Sequence, residues 1–297
     1  MSYTAIDLSQ LPAPDVVETL DYENILAAML EDLQQRDPVF NALVESDPVY
    51  KILEVAAYRE TIIRQRVNDA ARAVMLAYAT GPDLDQLGAL FNVGRKLLTP
   101  ADPAANPPIE AVWESDEEFR RRIQLSLEGL SVAGPEGAYI FHSLSADPRV
   151  QDATATSPAP GEVLVTILSR EGDGSAPADL VEAVDNHLQQ DDLRPLTDSV
   201  TVQGAEIVGY DIRATIYTYP GPDRAVVLAE ARKELDLYVD EMRRLHKAIP
   251  RTGITAALHV EGVQRVELAS PAADLAITAT QAGYCRSIEI IDGGTAF

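Results

Sequence analysis

The sequence has few of the residues that build redox and metal sites. Among its 297 residues Cys285 is the only cysteine, and there are four histidines. A single cysteine excludes an internal disulfide and a CxxC motif, and we expect Cys285 to be a small buried residue. No two histidines stand at HxH or HExxH spacing, so no zinc site is predicted. The four are His142, His187, His246 and His259.

Long apolar runs and basic residues are scarce as well. No apolar run approaches the ~20 residues that cross a bilayer, and the start MSYTAIDLSQ lacks the basic-then-apolar order of a secretory signal. We therefore expect a protein that is cytosolic when made and has no membrane partner. The chain has 24 Lys and Arg against 47 Asp and Glu, a net charge of -23, which argues against nucleic acid as a partner. The charge favours solubility first, and alternatively a surface that meets a matched basic partner.

Signatures of catalysis are missing too. The loop EGDGSA, residues 171–176, lacks the GxxxxGK[ST] phosphate cradle and the alternating acids of a calcium loop, so we interpret it as a turn. No GxSxG serine elbow occurs. Asp191 and Asp192 could pair as glycosidase carboxylates, but such a pair carries almost no information in a chain with 47 acids. The sequence therefore predicts no catalytic residues, no metal and no cofactor.

One long helix signal stands out from the rest of the chain. Asp47 is a good N-cap and Pro48 suits the first helical position, while Gly81 and Pro82 end a helix. About 32 residues without Gly or Pro lie between these marks, which predicts a helix of about 48 Å through Thr80. Its apolar positions recur at threes, fours and sevens, as in a coiled-coil seam. They are Ile52, Ala56, Ile63, Val67, Ala70, Ala71, Val74 and Tyr78.

Two interpretations of this helix stay open at this point. It is either a central helix buried within its own domain, or a helix shared between chains, since its length exceeds that of a small domain. Arg59 interrupts the apolar seam, and Glu60 and Arg64 stand one turn apart in the favourable order. The remaining basic residues beside the seam are Arg66 and Arg72.

The rest of the chain predicts an α+β fold, with an N-terminal long-helix domain followed by two small tandem α/β modules. Residues 1–94 form an arm and the helical domain, in which Asp21 caps a helix that ends near Asp37. Residues 95–114 form a proline-rich linker. Residues 115–204 and 205–297 form the two modules, whose strands show clear alternation of apolar and polar residues. The arm, Met1 to Thr19, is expected to order only against a neighbour.

A helix that begins at Ser115 carries three consecutive arginines, Arg120, Arg121 and Arg122. We expect them on a solvated outer face, and alternatively in contact with an acidic neighbour. The apolar residues of the inner face would be Phe119, Ile123, Leu127 and Leu130.

Three ordered segments resemble one family. They are Glu45–Arg95, Ser115–Ala153 and Ala256–Leu275. The first begins ESDPVYKILEVAAYRETIIRQRV, the second contains SVAGPEGAYIFHSLSADPRVQDA, and the third is AALHVEGVQRVELASPAADL. All three are similar to the baseplate J-like proteins, which are wedge components of contractile phage tails and of phage-tail-like bacteriocins.

The resemblance implies a structural subunit without catalytic activity. In such a wedge, two copies of the chain bundle with one chain of a second wedge protein, and six wedges form a ring around the tail tube. The ring widens when the sheath contracts, and the α/β modules make lateral contacts with neighbouring wedges and other inner-baseplate proteins. The subunit would be made in the host cytoplasm and end in the tail baseplate. The alternatives are an acidic envelope-degrading hydrolase and an unrelated soluble adaptor.

Carried onto this sequence, the resemblance assigns the bundle interface to twelve residues of the long-helix signal. Eight belong to the apolar seam and four are arginines that would set its register. They are Ile52, Ala56, Arg59, Ile63, Arg64, Arg66, Val67, Ala70, Ala71, Arg72, Val74 and Tyr78.

Overall fold

The computed structural model describes residues 6, 8, 11–12, 20–131, 133–191, 193–221 and 223–296. They form helices and several small sheets, which confirms the α+β class. The chain divides into two compact units. The helical unit contains residues up to Arg95 together with Ser115–Arg121, and the α/β unit contains Lys96–Glu114 and the chain from Arg122 onward. The predicted arm lies almost wholly outside the described residues, so its docking on a neighbour stays a prediction.

The helical unit is built from three helices and the start of a fourth. Asp21 caps the first helix as predicted, because its carboxylate accepts a hydrogen bond from the Asn24 amide at 3.1 Å. The first two helices pack through a small core of Ile25, Leu26 and Ala57. The helices are α1 (Tyr22–Arg36), α2 (Pro48–Ala73), α3 (Gly81–Leu90) and the beginning of α4 (Asp116–Leu125).

The long helix is shorter than the sequence predicts. α2 ends at Ala73 rather than Thr80, so its 26 residues span about 39 Å. Past this end, the carbonyls of Leu76 and Ala79 accept hydrogen bonds from the Arg120 guanidinium, both at 2.7 Å. Arg120 therefore satisfies acceptors that further helical turns would have paired with backbone amides. A residue more than forty positions away replaces the local pairing that the pattern implied.

Gly81 opens α3 instead of ending the preceding helix. Its φ of +50° is a conformation that glycine adopts readily, and its amide donates to the Asp116 carboxylate at 3.1 Å. Arg95 binds the same carboxylate at 2.7 Å and lies over the Phe119 ring, 4.8 Å from its centroid. Phe119 is fully buried against Gly88. The segment 115–121 therefore completes the core of the helical unit.

The arginine triplet does not lie on an outer face, and that prediction is wrong for two of its members. Arg120 binds the carbonyls described above. In the α/β unit, Arg122 is 6% exposed and makes two 2.7 Å hydrogen bonds to Glu114, which is 2% exposed. The alternative interpretation, contact with an acidic neighbour, holds for Arg122 within its own chain.

The prediction for the second half of the helix that begins at Ser115 is also wrong. The helix ends at Leu125, which is buried. Leu127 and Leu130, expected to face inward, are 61% and 79% exposed. The chain forms a short 3-10 turn over Glu128–Leu130 and so changes the face that each side chain presents.

The proline-rich linker contains a two-stranded antiparallel sheet that its sequence did not indicate. The strands are β1 (Leu97–Thr99) and β2 (Val112–Trp113), and a bridge between Asp102 and Ile109 extends the hairpin. The four prolines of 95–108 had suggested an irregular segment, but they lie in and around the connection between the strands.

The first module follows the predicted strand-helix-strand order. Its central strand pairs antiparallel on one side and parallel on the other. Buried apolar residues of both helices, among them Ile140 and Leu180, cover the sheet. The elements are α5 (Glu136–Ala146), β3 (Val150–Thr156), β4 (Glu162–Ser169), α6 (Ala178–Leu188) and β5 (Ser199–Gly204).

The second module repeats this mixed sheet, with its first strand in the centre. Leu235 and Ile254 of its helices are fully buried against the sheet. The last strand is far longer than the predicted Ile288–Ile291, and Cys285 within it is only half-buried, not fully buried as expected. The elements are β6 (Glu206–Thr218), α7 (Arg224–Met242), α8 (Arg251–Leu258), β7 (Val263–Ser270) and β8 (Gln281–Thr295).

The two modules are joined tightly. Only Ala205 separates β5 from β6. The buried Asp152 carboxylate accepts from the Leu245 amide at 3.0 Å, and the Thr154 hydroxyl donates to the Ala279 carbonyl at 2.6 Å. An apolar contact that includes Leu168 and Leu245 adds to these bonds. The modules therefore form one body rather than two bodies on a flexible connection.

Candidate assembly interface

One side of α2 packs on α1, and the other is largely exposed in the part of the chain that the structure describes. Tyr50, Leu53 and Ala57 face α1 and belong to its small core. Asn68 continues the same side and is buried. A helix that packs on one partner buries a single stripe. The opposite side of α2 is defined here as its outer face.

The predicted seam lies largely on this outer face. Ile52, Ile63 and Val67 are 67%, 61% and 55% exposed. Ala70 is also exposed, while Ala56 and Ala71 are half-buried. Steps of three and four residues connect most of these positions, so they follow one another along the helix. Of the two interpretations, the domain-internal one is not supported for Ile52, Ile63 and Val67, since the described residues leave each of them more than half exposed.

Val74 and Tyr78 do not belong to the helix. Both lie past its end at Ala73, although Val74 is 70% exposed. The Tyr78 hydroxyl donates to the Leu11 carbonyl at 2.9 Å, so this side chain has a partner inside the chain. Six of the eight predicted seam positions therefore lie on α2.

Three further apolar side chains on exposed positions of α2 were missed. Val55, Tyr58 and Ile62 are 62%, 59% and 36% exposed. They lie one turn apart and beside Ile63 on the helix surface. The sequence signal was present, because these residues recur at spacings of three and four, but the narrow seam pattern passed over them. They widen the outer face to an apolar surface of six large side chains.

The four arginines occupy different positions. Arg59, Arg66 and Arg72 are exposed. Arg64 is half-buried and pairs with Glu60, with its Nη2 atom 2.6 Å from the carboxylate. Arg64 and Arg66 are 200° apart around a helix axis and so point to different sides. Only Arg59 and Arg66 stand next to the seam.

The remaining chemistry offers no competing site. No group of three or more His, Cys, Asp or Glu side chains in the described part of the chain is arranged to hold a metal ion. His142 and His187, far apart in sequence, bring their rings to 6.0 Å, but no carboxylate or thiol completes such a set among the described residues. No helix in the described ranges combines the length and apolar character that crossing a membrane requires.

Comparison with known proteins finds matches along most of the chain. Residues 45–102 match the baseplate J-like N-terminal domain, residues 131–204 the baseplate J-like central domain, and residues 210–291 the baseplate J-like protein C-terminal domain. Baseplate protein J of Escherichia phage P2 is 52% identical over 297 residues, which cover 98% of each chain.

A solved structure, the anti-feeding prophage baseplate, contains a chain with a TM-score of 0.38 and 10% identity. The match covers 65% of this chain and half of that chain. The family matches and the phage P2 relative agree in order and extent. The chain therefore belongs to the baseplate J-like family and has a structural role in the baseplate of a phage tail.

Proposed function

We propose that the chain is a wedge subunit of the baseplate and that the outer face of α2 forms a helical bundle with two other chains. These are a second copy of itself and one chain of a second wedge protein. Six wedges would close a ring around the tail tube, and the ring would widen when the sheath contracts. One observation carries this proposal, namely the six large apolar side chains exposed along a 26-residue helix.

The energetics of this face support association. Covering a Val, Ile or Leu side chain releases about 1.5–3 kcal/mol relative to full exposure, and the six side chains of the outer face are between 36% and 67% exposed. Their burial between helices would contribute several kcal/mol. Two partner helices on one face suit this width, because a two-helix contact covers only a narrow seam.

A second part of the proposal concerns the arginines of α2, which would set the register of the bundle. Arg59 and Arg66 lie within the outer face, between the seam and the three added apolar side chains. They would meet acidic groups of the partner helices there and so fix register. Arg64 already has Glu60 and contributes less to a partner. In this assembly, residues 122–296 would move as one body, since the two modules are joined by several hydrogen bonds.

The remaining partners follow from the same assembly. The subunit would be made and assembled in the host cytoplasm, and its α/β modules would contact neighbouring wedges and other inner-baseplate proteins. Native mass spectrometry tests the stoichiometry. The chain is expressed alone and then with the adjacent tail-cluster reading frames. The expected result is a complex of two copies of this chain and one copy of a neighbour. A monomer in every mixture would refute the bundle.

A pair of matched variants tests the face itself. The double variant Ile63→Asp/Val67→Asp should keep its helix content but lose the complex, since both positions are exposed in the single chain and buried in the bundle. Val226→Asp/Leu237→Asp is the control. These α7 residues are 65% and 58% exposed, so the same chemical change should leave the complex intact. Equal behaviour of the two variants would contradict the assignment of the outer face.

We also propose that the subunit is not an enzyme. The hydrolase alternative needs two carboxylates that converge in a cleft. A turnover assay of the purified chain with peptidoglycan and with envelope polysaccharide checks this, and release of soluble fragments above a heat-treated control would contradict the proposal.

A further inference from the structure

The hairpin 96–114 is firmly attached at its base. The Lys96 and Glu114 backbones are hydrogen bonded at 2.9 Å, and Glu114 binds Arg122 in the buried pair described above. The Lys96 ammonium donates to the carbonyls of Leu144 and Asp147 at the end of α5. These contacts hold both ends of the hairpin against the first module, so its strands project as a defined element.

The hairpin exposes more apolar surface than its own packing requires. Leu97, Ile109, Val112 and Trp113 are 39%, 47%, 50% and 52% exposed. Leu97 stands directly opposite Trp113 in the strand register, so these two side chains are neighbours. Val112 precedes Trp113 in the strand and so points to the opposite face. The patch therefore consists of Leu97 and Trp113, which together expose on the order of 200 Å² of apolar surface. Trp113 is the only tryptophan of the chain, and tryptophan is the residue type most enriched at binding hot spots.

The charged side chains between Leu97 and Trp113 have one sign, while the Lys96 ammonium at the base of the hairpin binds backbone carbonyls. No Lys, Arg or His occurs from Leu97 to Trp113. The charged side chains of that range are Asp102 and Glu110, and both are exposed. A partner that covers the patch must therefore offer an apolar cleft with basic residues at its rim. Two hairpins of the same chain would instead bring like charges together, which disfavours a symmetric contact between copies.

We propose that the hairpin 96–114 is a docking element that inserts Trp113 and Leu97 into an apolar, basic-rimmed cleft on a different protein of the baseplate. Residues 103–130 lie between the segments that match the family domains. The contact does not use α2, so it is independent of the bundle.

A single fluorine label on Trp113 tests the hairpin contact in the otherwise unchanged chain. Growth with 5-fluorotryptophan labels this chain at position 113 alone, because it has one tryptophan. The fluorine resonance of the free chain should shift between H2O and D2O. On addition of the cognate, unlabelled baseplate proteins, purified one at a time, one of them should move the resonance and abolish this solvent shift. A resonance that is unchanged with each protein and in the assembled baseplate overturns the proposal. A shift caused by raising the concentration of the chain alone would assign the patch to a second copy and also overturns it.

Variants then test the two halves of the recognition. Trp113→Ala should weaken binding of the identified partner by about 30-fold or more. Asp102→Asn/Glu110→Gln keeps the side-chain acceptor that Asp102 offers to the Ala104 amide and should weaken binding about 3- to 10-fold with a smaller salt dependence.

Two controls separate this contact from other effects. Glu162→Gln/Glu182→Gln removes two exposed acids elsewhere in the α/β unit and should bind normally. If it weakens binding as much as the hairpin variant does, net charge rather than the hairpin governs the contact. Ile63→Asp/Val67→Asp should retain the fluorine shift even when it blocks the bundle. If that variant loses both the bundle and the fluorine shift, the hairpin contact depends on the bundle. That result overturns the proposal that the two contacts are independent.

Discussion

The buried pair of Arg122 and Glu114 gives the sharpest stability prediction. Their side chains are 7% and 1% exposed and meet in two hydrogen bonds of 2.7 Å. Arg122→Met removes the positive charge and leaves the carboxylate buried, with the Lys96 amide as a remaining donor at 3.2 Å. Breaking a buried pair in this way costs about 3–5 kcal/mol, because the Glu114 carboxylate stays out of water after its guanidinium partner is removed.

The double variant shows whether the cost arises from the pair. Glu114→Gln/Arg122→Met removes both charges and keeps an acceptor for the Lys96 amide. It should be more stable than Arg122→Met alone, and the cycle should give a coupling free energy of at least about 2 kcal/mol. Urea unfolding, followed by circular dichroism and by Trp113 fluorescence, measures all four proteins.

An exposed pair of the same length is the control. Arg213 lies 2.6 Å from Glu289, with side chains 58% and 52% exposed. Arg213→Met should cost no more than about 1 kcal/mol, since water already solvates both groups. Equal losses for Arg122→Met and Arg213→Met, or additive effects in the cycle, would refute the argument from burial.

Two other predictions concern the pKa of a buried lysine and the close packing at a glycine. Burial and the nearby charge of Arg122 lower the pKa of Lys96 from 10.5 to about 8. Because the unfolded chain then binds more protons between those values, the free energy of unfolding should rise with pH from about 8 to 10.5, by at most about 1.4 kcal/mol per pH unit. The Lys96→Met variant should lose this rise, as measured by urea unfolding at each pH. If the free energy of unfolding of both proteins depends on pH with the same slope, the lowered pKa of Lys96 is contradicted. Separately, Gly88→Ala should destabilise the chain by about 1–3 kcal/mol, because its methyl group would lie 2.4 Å from the Phe119 ring. Gly94→Ala has open space and should be near neutral by thermal unfolding; a loss equal to that of Gly88→Ala would contradict the steric explanation.

Local patterns predicted much of the architecture. The apolar alternation around Ile212 matches the buried positions of β6, since a strand that faces one core must alternate. β4 was located correctly, but it is buried on both faces from Val165 to Ser169. The cap at Asp21 also formed as expected. Such features depend on neighbours a few residues apart, which a sequence shows directly.

The errors share one cause, which is pairing between distant residues. The helix that should have reached Thr80 ends at Ala73 because Arg120 binds the carbonyls beyond it. Arg122 is buried because Glu114 meets it from the hairpin. Neither partner is visible in the period of the helix pattern. The candidate interface was affected likewise, since Val74 and Tyr78 fall outside the shortened helix.

The sequence by itself determined the α+β class, which follows from periodicity and caps, and the resemblance to the family, which follows from motif order along the chain. Only the tertiary structure decided which face of α2 its own chain covers, how far that helix runs, and that the prolines of 95–114 lie in a hairpin that exposes Trp113. Burial and long-range hydrogen bonds decide those points. They depend on which distant segments meet, and no local pattern records that.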